Sequence, residues 1–122
     1  MQAFEILKHA VMSLDKHKGD DLIALDVSDV TSIADYFLLA TGTSATNVRS
    51  LSDYVEEELA REGLHPLRNE GYHAGDWITL DYGDVLVHIF KRETREFYDL
   101  ERLWTDAQRV DITPYQLPND VI

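Results

Sequence analysis

Trp77-Ile78-Thr79-Leu80-Asp81, Tyr82-Gly83 and Asp84-Val85-Leu86-Val87-His88-Ile89-Phe90 form one continuous stretch that sets the architecture. Two β-rich runs flank a turn signal, the pattern of a β-hairpin. With Tyr82-Gly83 as a two-residue loop, Leu80 faces Val85, Ile78 faces Val87 and Trp77 faces His88. Alternation along each strand then sorts the side chains onto two faces. One carries Ile78, Leu80, Val85, Val87 and Ile89; the other carries Trp77, Thr79, Asp81, Asp84, Leu86, His88 and Phe90. Tyrosine suits the first position of a type I′ loop poorly, so a longer loop with re-paired strands stays open.

Upstream of the hairpin, Phe4, Leu7, Val11 and Leu14 form one stripe of an amphipathic helix that stops before Gly19. The runs 22–27 and 36–41 are short and apolar, and read as largely buried strands. From Ala45 the period changes. Val48, Leu51, Val55 and Leu59 mark a second helix, with Ser44 as N-cap and Gly63 at the C′ position. A further short strand is expected near 66–70. Downstream, Phe97, Leu100, Leu103/Trp104 and Ala107 give a helical stripe over 94–107, and Pro114 and Pro118 mark an irregular tail. The expected fold class is α/β (α+β): a single mixed β-sheet with flanking helices. The domain spans 1–111, with 112–122 as the irregular C-terminal tail.

The chain has 122 residues, 11 Lys+Arg against 23 Asp+Glu, and a formal net charge of −12. This length is one domain, able to bury a core without staples. Cysteine is absent, which excludes disulfides, thiolate metal sites and thiol catalysis. No apolar run approaches the roughly 18 residues of a membrane span, and residues 1–15 lack a basic, then apolar, leader pattern. The expectation is a soluble, cytoplasmic protein with no membrane partner. Strong negative charge opposes phosphate-backbone binding, so no direct sequence-specific nucleic-acid binding is expected. Glu56-Glu57-Glu58 reads as a solvated helix face.

Motifs for catalysis are missing. Gly42-Thr43-Ser44 between a strand and a helix has the topology of an anion-binding turn, but neither a glycine-rich fingerprint nor a P-loop accompanies it. A tight turn capped by Ser44 explains it as well. The five histidines show no metal-ligand spacing, and Asp81 and Asp84 flank a hairpin where carboxylates serve the turn. No metal or other cofactor is expected, and no catalytic residue is assigned. The face carrying Trp77, Thr79, Asp81, His88 and Phe90 has two readings: a second core layer beneath a helix, or an exposed patch for a basic protein.

Asp35-Tyr36-Phe37, Gly42-Thr43-Ser44, Glu70-Gly71, Trp77 with Asp81-Tyr82-Gly83-Asp84, Val87-His88-Ile89-Phe90, and Arg95 with Phe97-Tyr98-Asp99-Leu100-Glu101-Arg102-Leu103-Trp104 occur in this order. Together they resemble the Iojap family, whose bacterial members are ribosomal silencing factors. The match runs from about residue 3 to 107. The resemblance implies a nucleotidyltransferase-like fold without catalysis. It also implies binding to the large ribosomal subunit through its ribosomal protein number fourteen, which blocks small-subunit association and represses translation under nutrient limitation. Organellar relatives act in large-subunit assembly, and a homodimer is implied off the ribosome. The partner-binding positions it suggests are Trp77, Asp81, His88, Phe90, Tyr98, Glu101 and Trp104. Among these, Phe90 and Trp104 are expected nearest the core, and Asp81 and Glu101 are expected to pair with Arg or Lys of the partner. The alternative is an orphan nucleotidyltransferase-like or nucleotide-binding protein using Gly42-Thr43-Ser44. Against it, no Asp-x-Asp or Asp-x-Glu pair follows on the next strand to hold two metals on a phosphoryl group.

Overall fold

The computed structural model describes residues 1–118. The expected tail continues past this point, and its residues 119–122 lie outside the described residues. Helix α1 (Ala3–Lys16) buries Ile6, Leu7, Ala10, Val11 and Leu14. Phe4, expected on that stripe, is instead partly exposed and sits edge-on to Tyr36 and Tyr115 at the helix entry. Helix α2 (Ala45–Arg61) buries Val48, Leu51, Val55 and Leu59, the expected stripe. Ser44 Oγ accepts from the Asn47 N–H at 3.0 Å. At the other end Gly63 donates to Ala60 O and Leu64 to Leu59 O, the paired bonds that close a helix C-terminus. His9 Nδ1 lies 2.9 Å from Glu58 Oε2, so one member of the acidic run ties α2 to α1 rather than facing only water.

Six strands form one sheet: β1 (Asp20–Asp26), β2 (Tyr36–Gly42), β3 (Arg68–Glu70), β4 (Trp77–Asp81), β5 (Val85–Lys91) and β6 (Gln108–Val110). Their order is β3-β4-β5-β2-β1-β6. Only β2 and β5, at the centre, run parallel; the other neighbours are antiparallel. The parallel pair is possible because α2 and the β3–β4 excursion carry the chain back between them.

The hairpin is real, but its register differs from the expected one. Trp77 pairs with Phe90, Ile78 with Ile89, Thr79 with His88 and Leu80 with Val87. Tyr82 donates its N–H to Val85 O, so the loop is Gly83-Asp84, one residue later than expected. Gly83 takes the positive φ of 86° that the first loop position requires, which a tyrosine there resists. Tyr82 moves out of the loop and into the core. The pairing shifts by two residues, an even number, so every side chain keeps its expected face.

Those faces define two cores. Ile78, Leu80, Val85, Val87 and Ile89 pack under α1 and α2. Phe90, Phe37, Leu39, Leu25 and Val27 fill the opposite side, with Trp77, Leu86, Leu100, Trp104 and Ala107 partly buried against them. The single helix expected over 94–107 is instead broken. Helix α3 (Arg92–Tyr98) ends at Asp99, which is left-handed at φ 48° and ψ 55°, and α4 (Leu100–Leu103) restarts beyond it. Aspartate tolerates this conformation better than most residues. After β6, the first residues of the expected tail hold only a 3-10 turn, Thr113–Tyr115, yet they dock on the fold. Ile112 is buried, and the Leu117 N–H donates to Asp15 Oδ2 at 2.6 Å.

Candidate functional site

Strand alternation brings Trp77, Thr79, His88 and Phe90 to the sheet face opposite α1 and α2, where the short α3–α4 segment packs against them. Central pairing of β5 with β2 adds Phe37 beside Leu86, one row from His88. The result is a continuous aromatic row. Trp104 meets Phe37 edge-on at 5.2 Å, and Phe37 meets His88 at 5.3 Å. Trp77 lies 4.9 Å from Phe90 and 5.0 Å from Tyr98, and Tyr98 lies 5.1 Å from Phe97. The row begins in the core and ends in water. Phe90 is fully buried and His88 is 7% exposed, whereas Tyr98 is 51% and Phe97 81% exposed. Leu103, 71% exposed, adds a second apolar side chain to the α3–α4 segment.

The expected binding residues therefore separate. Tyr98 is exposed and Trp77 and Trp104 are half-buried, so all three reach the surface. Phe90 and His88 do not, which corrects their reading as direct contacts: they support the row from beneath. Asp81 is half-buried, and its Oδ1 accepts the Gly83 N–H at 2.8 Å, so it stabilises the hairpin loop. Glu101 is engaged inside the protein. Its Oε2 accepts from Arg95 Nε at 3.4 Å and from a terminal guanidinium nitrogen at 3.2 Å. Arg95 also donates to the Asp21 carbonyl at 2.7 Å and to Thr41 Oγ1 at 2.8 Å. This buried guanidinium pins α3, α4, β1 and β2 together across the break at Asp99.

Sequence patterning missed three of these roles. Phe97 and Leu103 were expected on the buried stripe of one helix, but the turn at Asp99 re-aims α4 and leaves both exposed. Arg95 sits in a run of charges and carries no local sign of burial. Asp99, of a residue type that tolerates the left-handed region, is the local signal of the break.

Carboxylates dominate the surroundings of the row. Over 76–107 the chain places Asp76, Asp81, Asp84, Glu93, Glu96, Asp99, Glu101 and Asp106 against Lys91, Arg92, Arg95 and Arg102. Lys91 is paired with Asp76, Arg92 with Asp20 and Asp21, and Arg95 with Glu101. The surface is therefore an exposed aromatic and apolar ridge in a negative field, suited to a basic protein.

Elsewhere the chemistry is closed. At Gly42-Thr43-Ser44, the Asn47 side-chain oxygen accepts the Thr43 N–H at 2.9 Å while Ser44 caps Asn47. Loop 71–76 also lies on the first turn of α2, with Arg49 donating to His73 O at 3.0 Å. Gly75 approaches Ala45 so closely that a Cβ there would lie 2.9 Å from the alanine Cβ. The turn is filled by its own chain, which disfavours a nucleotide phosphate there. Among the described residues no three His, Asp or Glu side chains gather to hold a metal ion, and no helix is long and apolar enough to cross a membrane.

The family model described as "Ribosomal silencing factor during starvation" matches residues 1–121. The chain belongs to the ribosomal silencing factor family. The Bacillus subtilis ribosomal silencing factor is 34% identical over 112 residues, covering 92% of this chain and 95% of that one. A crystal structure of a Chromobacterium violaceum protein superimposes with a TM-score of 0.83 at 36% identity, covering 93% of each chain. The mouse protein named mitochondrial assembly of ribosomal large subunit protein 1 is 31% identical over 119 residues, with 92% of this chain matched to 52% of that longer one. Members of the ribosomal silencing factor family regulate translation and are not enzymes, which places this chain in ribosome-associated silencing.

Proposed function

We propose that this protein binds the large ribosomal subunit through its basic ribosomal protein number fourteen and blocks small-subunit association, repressing translation in the cytoplasm under nutrient limitation. The single observation that carries the site is the ridge of Tyr98 and Phe97 beside Trp77, exposed in a negative field on a member of the silencing family. Exposed aromatics supply contact area at low ordering cost, and carboxylates steer a cationic partner to it. The net charge of −12 acts in the same direction. It repels rRNA phosphates, so docking is confined to a protein target on an RNA-rich particle. Off the ribosome, a second copy of the chain covers the same ridge, so dimer formation and docking compete.

Co-sedimentation with purified subunits tests the reading. The protein is expected to pellet with large subunits and not small ones, and to reduce joining of the two. Phe97→Ala with Tyr98→Ala is expected to weaken pelleting by about thirtyfold or more, equivalent to about 2 kcal/mol or more for truncated aromatic anchors, with little change in melting temperature. Absence of pelleting by the wild-type protein at low salt overturns the reading. Full binding by the folded double variant moves the interface to another face.

A further inference from the structure

Beneath the ridge lies one polar side chain that the fold itself does not require. His88 is 7% exposed, stacked on Phe90 at 5.9 Å and 18° and met edge-on by Phe37 at 5.3 Å and 75°. Its Nδ1 accepts a hydrogen bond from Trp77 Nε1 at 3.1 Å and lies 3.3 Å from the Thr79 hydroxyl. An indole N–H only donates, so the neutral imidazole places its own proton on Nε2. That nitrogen is buried and has no hydrogen-bond partner among the described residues. An apolar ring in the same slot would keep the stacking and leave no orphaned donor, so stability alone argues against histidine here. What histidine adds is an acceptor aimed at Trp77.

We propose that His88 is a positioning residue: it fixes the Trp77 indole in the orientation against which Tyr98 packs, and so pre-organises the docking ridge without touching the partner. The inference rests on the docking function proposed above. Trp77 is half-buried, and without this bond its N–H would turn toward water and carry the ring away from Tyr98, 5.0 Å distant. Holding an anchor ring in its bound orientation removes an ordering cost from association. The acceptor persists across the physiological range. Burial alone holds the imidazole down to about 4, and the groups around it from β4, β5 and β2 are Trp77, Thr79, Phe90 and Phe37, none of them charged.

Two substitutions separate positioning from packing. His88→Phe keeps a ring in the stack and removes the acceptor; His88→Asn keeps an acceptor oxygen near the Nδ1 position and loses the ring. H88F is expected to match or exceed wild-type thermal stability while binding large subunits about three- to tenfold more weakly, the worth of one lost neutral hydrogen bond. H88N is expected to melt lower, yet bind within about twofold of wild type. A purely structural histidine gives the opposite order, with binding following stability. Fluorescence anisotropy of Trp77, read in a Trp104→Phe background, is expected to fall in H88F and hold in H88N. His88→Leu takes the place of H88F if phenylalanine overpacks. Wild-type binding by H88F, or affinities that track melting temperature, overturn the proposal, as does unchanged Trp77 anisotropy. Wild-type protein that fails to pellet with large subunits instead overturns the docking function, and this inference falls with it.

Discussion

Replacing Glu101 by glutamine asks whether this carboxylate serves the fold or the partner. Arg95 is 7% exposed, and Glu101 is its ion-pair partner among the described residues, at 3.2 Å. Removing one member of a buried pair costs about 3–5 kcal/mol, because the surviving charge loses its counter-ion. Two features reduce that figure here. The Glu101 side chain is 32% exposed, so water partly compensates, and Arg95 keeps its bonds to the Asp21 carbonyl and Thr41 hydroxyl. A loss of about 2–3 kcal/mol is expected for E101Q. For 122 residues the unfolding entropy is about 0.26 kcal/mol/K near 60 °C, so the melting temperature should fall by about 8–12 °C. Urea unfolding followed by far-ultraviolet circular dichroism measures the loss, with a lower midpoint and an unchanged slope. The folded variant should still pellet with large subunits. Arg95→Met combined with Glu101→Leu removes both charges and should recover most of the stability, since an apolar replacement leaves no stranded ion. Stability of E101Q within about 0.5 kcal/mol of wild type would refute the buried-pair account. Normal stability with lost subunit binding would return Glu101 to the docking surface.

His88 also predicts how stability depends on pH. Burial depresses its folded value to about 4 from 6.5, so between these values the unfolded chain takes up a proton that the folded chain excludes. Its contribution is therefore complete above about pH 6.5 and is lost as the pH falls toward 4, by roughly 3 kcal/mol in all. As the pH drops from 6.5 toward 4, the urea midpoint of wild type should fall progressively below that of H88F, which lacks this titration; parallel profiles would contradict the assignment. At Gly71 the backbone has φ 86°, and a Cβ would be driven into the Trp77 carbonyl oxygen. Gly71→Ala should cost about 2–4 kcal/mol and shift tryptophan emission as loop 71–76 displaces Trp77; wild-type stability and emission would show that the loop tolerates the strain.

Much of the fold was legible because periodicity is a local property. The helical stripes Leu7-Val11-Leu14 and Val48-Leu51-Val55-Leu59, the cap at Ser44 and the alternation of 77–90 each needed only neighbouring residues. Even the wrong hairpin register left the faces correct, since a two-residue slip preserves the strand's parity. The family was legible for a different reason: its motifs occur in order along the chain. Their roles were less so. Asp81, Glu101, His88 and Phe90 share motifs with Tyr98 and Trp77, and nothing in the motif order tells a turn cap, an ion-pair member or a core ring from a contact residue.

The sequence alone thus determined α1, α2, strands β1 to β5, the two faces of the sheet and the family, but neither β6 nor the division of the last helix. Three features waited for the tertiary structure: the central parallel pairing of β2 with β5, the break at Asp99, and the burial of Arg95 across that break. Each depends on residues distant in the chain meeting in space. Arg95 finds Asp21 and Thr41, more than fifty positions away, and that meeting turns a charged segment into a pinned one. Exposure is decided in the same way, by what packs above a side chain. Phe97 and Phe90 are alike in type, yet one lies on the outer side of α3 and the other beneath Trp77.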